Sequence, residues 1–253
     1  MMRLGPTAVA AAVIAALAGS ASPGDAELYY RGGIVFDLSE ETRFLDVDCT
    51  SQNPAALYGC GTGIDGEPLG AAGDFGSTPG LEIGVGRGLA SVLRFEALAQ
   101  YRPGLSFRGR SNFVQTRGIQ AASAELSSFS GLLAAYLEWP GRAGPFVGGG
   151  AGLSRVAIGE TRLRFRKTDT LVPGGSRLGL VSMVTAGVSV GLGPCFILDL
   201  AWRYTESRAV KTGRGQGRIA WRDGSREPIE LDLAETRAEL STQGLRASVR
   251  WVP

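Results

Sequence analysis

Asp199 and Arg203 lie on one side of an alternating run, Phe196-Ile197-Leu198-Asp199-Leu200-Ala201-Trp202-Arg203-Tyr204-Thr205, whose other side carries Phe196, Leu198, Leu200, Trp202 and Tyr204. The same segregation recurs along the chain. Glu82 opposes Leu81, Ile83 and Val85; Arg94, Glu96 and Arg102 oppose Phe95, Ala97, Ala99 and Tyr101; Arg246 and Arg250 oppose Leu245, Ala247, Val249 and Trp251. Eight charges gathered on non-apolar faces can neutralise one another in a dry interior, because buried charge is tolerable only when paired. Alternatively they can exchange partners and gate the passage of small ions. Acid–base catalysis is the third use, and composition opposes it. The chain has no histidine, the commonest general base, and its only lysines, Lys167 and Lys211, fall in polar, loop-like segments. A histidine-ligated metal site is excluded, and no motif asks for a cofactor.

Three further groups could carry chemistry. Gly148-Gly149-Gly150-Ala151-Gly152, with Asp169 downstream, invites a nucleotide-binding reading. The spacing is not GxGxxG, however, and no helical pattern follows, so glycines that let a sheet curve and pack are the expectation. Arg162, Arg164 and Arg166 alternate with Leu163 and Phe165. Their forked donors suit lipopolysaccharide phosphates, but a solvated strand extension paired with local acids explains them too and is the preferred reading. Of three cysteines, Cys49 and Cys60 share one polar segment and are the expected disulfide, leaving Cys195 beside a tight turn.

These residues need strands to place them. Leu28 to Leu38 alternates Leu28, Tyr30, Gly32, Ile34, Phe36 and Leu38 against Tyr29, Arg31, Gly33, Val35 and Asp37. Further strands follow at Leu81 to Ala90, from Leu93, at Leu126 to Trp139 with weaker alternation, from Phe146, at Leu178 to Leu192, from Phe196, and in a last run ending at Trp251. The count is eight. A hairpin of Arg218-Ile219-Ala220-Trp221-Arg222 and Ile229-Glu230-Leu231-Asp232-Leu233 around Asp223-Gly224 makes ten the alternative.

Long connections, at about 39–77, 109–123, 160–177 and 206–235, alternate with short ones such as Pro140-Gly141 and Gly193-Pro194. The first excursion reads as too polar to form a core. Strands with one apolar, aromatic-tipped face and one charged face, joined in this long–short pattern, predict an antiparallel up-and-down β-barrel that crosses a membrane. Trp139, Trp202, Tyr204 and Trp251 are the candidates for its interfacial aromatic girdles. Met1 to Arg3, the apolar Ala8 to Leu17 and Gly19-Ser20-Ala21 read as an export signal, with cleavage expected after Ala21 or Ala26 and no neighbouring cysteine for lipidation. A net charge of +2 from 26 basic and 24 acidic residues offers nothing to nucleic acid.

Tyr29-Tyr30-Arg31-Gly32-Gly33, Gly144-Pro145-Phe146-Val147-Gly148-Gly149-Gly150-Ala151-Gly152, and Ala186-Gly187-Val188-Ser189 followed by Leu198-Asp199-Leu200-Ala201-Trp202-Arg203-Tyr204 resemble the opacity-like and OmpA-type family of small outer-membrane β-barrel proteins. The resemblance spans nearly all of residues 27–253. It implies an eight-stranded barrel in the outer membrane of a Gram-negative bacterium, of the kind labelled porin-like or surface antigen, and no single activity. It also implies contact with outer-membrane lipid and lipopolysaccharide, and handling by the barrel assembly machinery. The chain departs from the family in ending Trp251-Val252-Pro253 rather than on an aromatic residue, although Leu245, Ala247, Val249 and Trp251 keep the outward stripe. The expectation is a non-enzymatic barrel presenting long loops to an extracellular partner. A narrow passive channel and a soluble lipocalin-like ligand-binding barrel are the alternatives; the last would turn its apolar faces inward.

Overall fold

The structure, a computed structural model, describes residues 27–253 except 64, 91, 114–119 and 142. The expected signal segment, residues 1–26, lies outside the described residues. In chain order the described strands are β1 (Leu28–Ser39), β2 (Thr42–Asp46), β3 (Gly70–Asp74), β4 (Ser77–Ala90), β5 (Leu93–Asn112), β6 (Gln120–Glu138), β7 (Ala143–Ile158), β8 (Thr161–Arg164), β9 (Thr168–Val172), β10 (Gly175–Gly191), β11 (Phe196–Lys211), β12 (Gly215–Trp221), β13 (Ile229–Leu233) and β14 (Thr236–Trp251).

Eight of them form a closed ring. β1, β4, β5, β6, β7, β10, β11 and β14 pair antiparallel in that order, and β14 pairs back onto β1. The ring has no free edge, so its backbone groups are satisfied within the protein, as lipid demands. The ten-stranded alternative is not realised. The 218–222 and 229–233 runs do pair, as β12 with β13, but β12 docks on β9 outside the ring. β6 keeps its period of two where the sequence alternates weakly: the even residues from 126 to 136 are buried and the odd ones between them are exposed or half-buried.

Apolar side chains point outward. Tyr30, Ile34, Phe36 and Leu38 on β1, Phe129, Leu133 and Leu137 on β6, and Phe196, Leu200 and Trp202 on β11 are exposed, whereas Asp37, Ser130, Asp199 and Arg203 between them are buried. Each outward run matches the roughly 9–11 residues that a tilted strand needs to cross a bilayer. This inside-out arrangement is the reverse of a lipocalin-like ligand barrel and corrects that alternative: the apolar faces cover the outside and the charges fill the lumen.

Glycines make the charged interior fit. Tyr29 lies across Gly86 of β4, and Tyr136 across Gly148 of β7, where any Cβ would strike the ring. The Gly148–Gly152 run is therefore a packing feature of the sheet.

The long connections are folded, which corrects the expectation that residues 39–77 are too polar for a core. Phe44, Tyr58, Leu69, Ala71 and Phe75 from that segment are buried with Leu105, Phe107, Leu126, Val156, Ile158, Leu163, Val210 and Leu240. The apolar residues are sparse, but β2 and β3 pair with β14 and β5 and turn them onto the barrel's upper strands. The ring strands also run past the expected loop starts. β5 reaches Asn112, β6 begins at Gln120, β11 reaches Lys211, and β8 and β9 occupy the third excursion. Extended pairing satisfies polar backbone as well as loops would, so composition alone misplaces these boundaries. The result is a β-sheet head standing on the barrel's long-loop end.

Candidate functional site

The lumen is the most chemically dense part of the molecule. Alternation along β4, β5, β11 and β14 brings Glu82, Arg94, Glu96, Arg102, Asp199, Arg203, Arg246 and Arg250 inside together, all buried. Arg31 and Asp37 of β1 and Glu138 of β6 complete the cluster, giving six arginines and five carboxylates. Arg31 and Asp37 were readable, since they alternate opposite Tyr30, Ile34 and Phe36; Glu138, the last residue of a nearly apolar strand, gave no such signal.

The charges form three connected levels. Towards the head, Asp37 accepts from Arg102 at 2.5 Å and from Arg203 at 2.9 Å. In the middle, Arg203 reaches Glu82 at 2.8 Å, and Arg31 joins Glu82 to Glu96. Near the short-turn end, Arg94 meets Glu138 at 2.8 Å, and Arg250 meets both Glu138 at 2.8 Å and Asp199 at 2.9 Å. Arg94 also stacks its guanidinium 4.1 Å from the Tyr136 ring centroid. Arg246 differs from the rest. It approaches Glu82 only to 3.8 Å, and none of its guanidinium nitrogens has a hydrogen-bond partner among the described residues.

Above this network the lumen is capped by the apolar head core, in which Leu105 and Phe107 of β5 pack with Phe44 and Phe75 of the first connection. Phe44 and Phe107 meet edge-on with centroids 5.0 Å apart.

The first connection is stapled at two points. Cys49 and Cys60 form the expected disulfide. The buried carboxylate of Asp46 accepts the backbone N–H groups of Leu57, Tyr58 and Gly59 at 2.9, 2.9 and 2.8 Å. Burial, with Asp46 alongside, raises the Tyr58 phenol well above its ordinary value. Cys195 is a free, half-buried thiol in the β10–β11 turn.

Arg162 and Arg164 project from β8 on its exposed side, and Arg166 follows just beyond the strand, also exposed. Only Arg164 of the three has a carboxylate partner among the described residues, Asp169 at 3.7 Å. Of the girdle candidates, Trp139 and Trp251 sit at the short-turn end, where Trp251 stacks on Tyr30 with centroids 5.7 Å apart. Tyr204 stands at the opposite edge of the outward stripe, opposite Gln243, with Trp202 one outward position inside it.

A cleft of about 240 Å³ in the head lies between the disulfide loop, β8 and the β12–β13 pair and is lined by Leu57, Phe113, Leu163, Phe165, Ile219 and Leu231 among others. No group of histidine, cysteine or acidic side chains suited to a metal ion occurs among the described residues.

No protein-family model and no curated protein matches the chain. Among solved structures, the outer membrane protein OprG from Pseudomonas aeruginosa is 13% identical, with 88% of this chain and 96% of that one covered at a TM-score of 0.44. The outer membrane protein AlkL, solved in lipid bilayers, is 15% identical, with coverages of 92% and 95% and a TM-score of 0.42. The outer membrane protease OmpT from Escherichia coli is 7% identical, with coverages of 93% and 99% and a TM-score of 0.37. These scores are low, and the assignment of fold rests on the ring and its two faces. A closed antiparallel ring with an apolar belt outside and paired charges inside can be stable in lipid and has no use for that belt in water; the chain therefore has the fold of the small outer-membrane β-barrel proteins.

Proposed function

We propose that the chain is a non-enzymatic outer-membrane barrel of a Gram-negative bacterium whose working surface is the folded head, presented outside the cell, rather than the lumen. The observation that carries this reading is the filling of the barrel along its height. Charged pairs occupy the membrane level, Arg203 being 1% exposed, and the layer of Leu105 and Phe107 closes the head end at 0% and 1%. Eight strands leave an interior that side chains roughly fill, and here they fill it twice over with different chemistry. The belt provides the contact with outer-membrane lipid. Assembly machinery and an extracellular partner of the head belong to the same reading.

A narrow channel for small ions is the second reading, favoured by the concentration of charge. It requires ion pairs to exchange and the Phe44–Phe107 layer to move aside in the same event. Conductance of the refolded barrel in a planar bilayer decides between them. The filled-lumen reading expects no discrete openings from a preparation whose gel migration shifts on heating; reproducible openings would refute it.

The non-enzymatic part rests on the absence of histidine from the whole sequence and the presence of only two lysines. A protease among the similar barrels makes peptide hydrolysis the activity to assay. A panel of quenched peptides is expected to release no signal above that of heat-unfolded protein.

A further inference from the structure

The outward face of the head carries four arginines in a regular array that the alternation of the sequence conceals. β5 bulges between Arg102 and Leu105, where two residues oppose one on β6. Gly104 supplies the required positive φ of 64°. The extra residue reverses which face each side chain takes. Arg102 points into the lumen, but Arg108 and Arg110 are exposed on the outside.

Cross-strand register then aligns them with β8. Arg108 is opposite Ser123 of β6, and Ser123 is opposite Arg162; Arg110 is opposite Ala121, and Ala121 is opposite Arg164. Residues directly opposite in an antiparallel pair share a face, so the four arginines stand at the corners of a patch floored by Ala121 and Ser123. Its sides are about 7 Å along the strands and about 10 Å across them, from the standard rise and strand spacing. Arg108, Arg110 and Arg162 have no carboxylate within ion-pair distance among the described residues; of the four, Arg164 is paired, with Asp169 at 3.7 Å, an acid it shares with Arg222 at 4.0 Å. Asp74, opposite Arg108, Glu125, two residues from Ser123 on the same face of β6, and Glu41 and Asp65, which share a cleft with Arg110, are the acids that border the patch.

We propose that this patch binds the phosphate groups of lipopolysaccharide in the outer leaflet. The proposal rests on the outer-membrane reading and names the partner of the head's lateral face. Two observations select this ligand. The patch lies on the same outward side of the strands as the lipid belt, so it faces neighbouring lipids rather than the space above the head. It also lies high: Ser123 is six residues beyond Phe129, the last large apolar outward residue of β6, which places it about 15 Å past the belt's edge for strands tilted by about 40°. Phospholipid headgroups occupy only about 5–7 Å beyond the hydrocarbon. A phosphate at the height of the patch must be carried on a saccharide core. Guanidinium forks pair bidentately with phosphate oxygens, and the small floor of Ala121 and Ser123 leaves room for a group to sit between them. Arg166 lies outside the array, so it drops out of the trio suggested by the 162–166 spacing.

The test uses the full-length barrel refolded in detergent, titrated with fluorescent lipopolysaccharide and with the same material after removal of its phosphates. The wild type should bind the phosphorylated form at least about tenfold more tightly, and R108Q/R110Q and R162Q/R164Q should each remove most of that preference. R166Q/K167Q should leave it unchanged, and a variant with lysine at all four corners should keep part of it. Inorganic pyrophosphate should compete only weakly, because it lacks the lipid anchor; competition as strong as that of lipopolysaccharide would assign the patch to free phosphate. Equal binding of the dephosphorylated form, unaltered binding by both double variants, or binding of a sulfated polysaccharide alone would each overturn the proposal. Failure of the wild type to insert into vesicles would instead overturn the membrane reading beneath it.

Discussion

Arg203 donates to Glu82 at 2.8 Å, tying β11 to β4 through the lumen rather than along the sheet. The pair is one link in a set where Glu82 also holds Arg31, and Arg203 also holds Asp37. Removing a carboxylate from such a set strands buried positive charge, whereas removing an arginine held only by a long ion pair and by ring faces relieves it. E82A should therefore cost about 3–5 kcal/mol in urea unfolding monitored by gel shift. Arg246 lacks hydrogen-bond partners among the described residues, and arginines outnumber carboxylates in the lumen. R246M should be neutral or stabilising in the same measurement, and a loss as large as that of E82A would show that Arg246 is compensated by bound water or an anion.

The rings of Tyr29 and Tyr136 lie flat only because Gly86 and Gly148 leave space beneath them. G148A should force the Tyr136 ring off its site and loosen its stacking with Arg94, at a cost of about 1–3 kcal/mol. The same substitution at Gly32, where a new Cβ meets nothing within 4 Å, should cost little and serves as the control.

The disulfide closes a loop between residues 11 apart in sequence. Its loss should release about 3 kcal/mol of chain restriction from the unfolded ensemble, but only in the head. C49S/C60S is expected to raise proteolytic cleavage within residues 47–60 while leaving the heat-shift of the barrel intact. D46A, which orphans the three N–H groups of residues 57–59, should give the same phenotype with the disulfide still formed.

Asn112 clamps the first connection to β5. Its amide donates to Asp65 at 3.0 Å, and its oxygen accepts from the Gly70 N–H at 2.8 Å. The Asn112 amide, with the Glu67 N–H, holds the Asp65 carboxyl below its ordinary value. Because the folded value is depressed, the contact stabilises the head above the ordinary aspartate range, near pH 4, and its contribution is lost as pH falls through the lower folded value. Amide resonances of Glu67 and Gly70 should titrate in that acid window in the wild type and not in D65N.

Much of the barrel was legible because a strand's period of two writes lipid face and lumen face into alternate residues. Phe196 to Thr205 shows this plainly: the outward Phe196, Leu200 and Trp202 and the inward Asp199 and Arg203 take the sides their parity assigns. The head was not legible. Phe44, Leu69 and Phe75 are single apolar residues in glycine- and aspartate-rich surroundings, and nothing local announces that β5, β7 and β11 rise far enough to bury them.

The sequence by itself therefore determined the number of ring strands, the polarity of each face and the disulfide, since these follow from local alternation, turn residues and cysteine spacing. Only the tertiary structure decided which charges meet, because Arg203 and Glu82 or Arg250 and Asp199 are brought together by ring closure and not by proximity in the chain. It also decided which face carries Arg108 and Arg110. Strict alternation from Arg94 through Arg102 would send both into the lumen, and a single residue inserted opposite β6 turns them outward, because in a strand one added residue exchanges inside for outside.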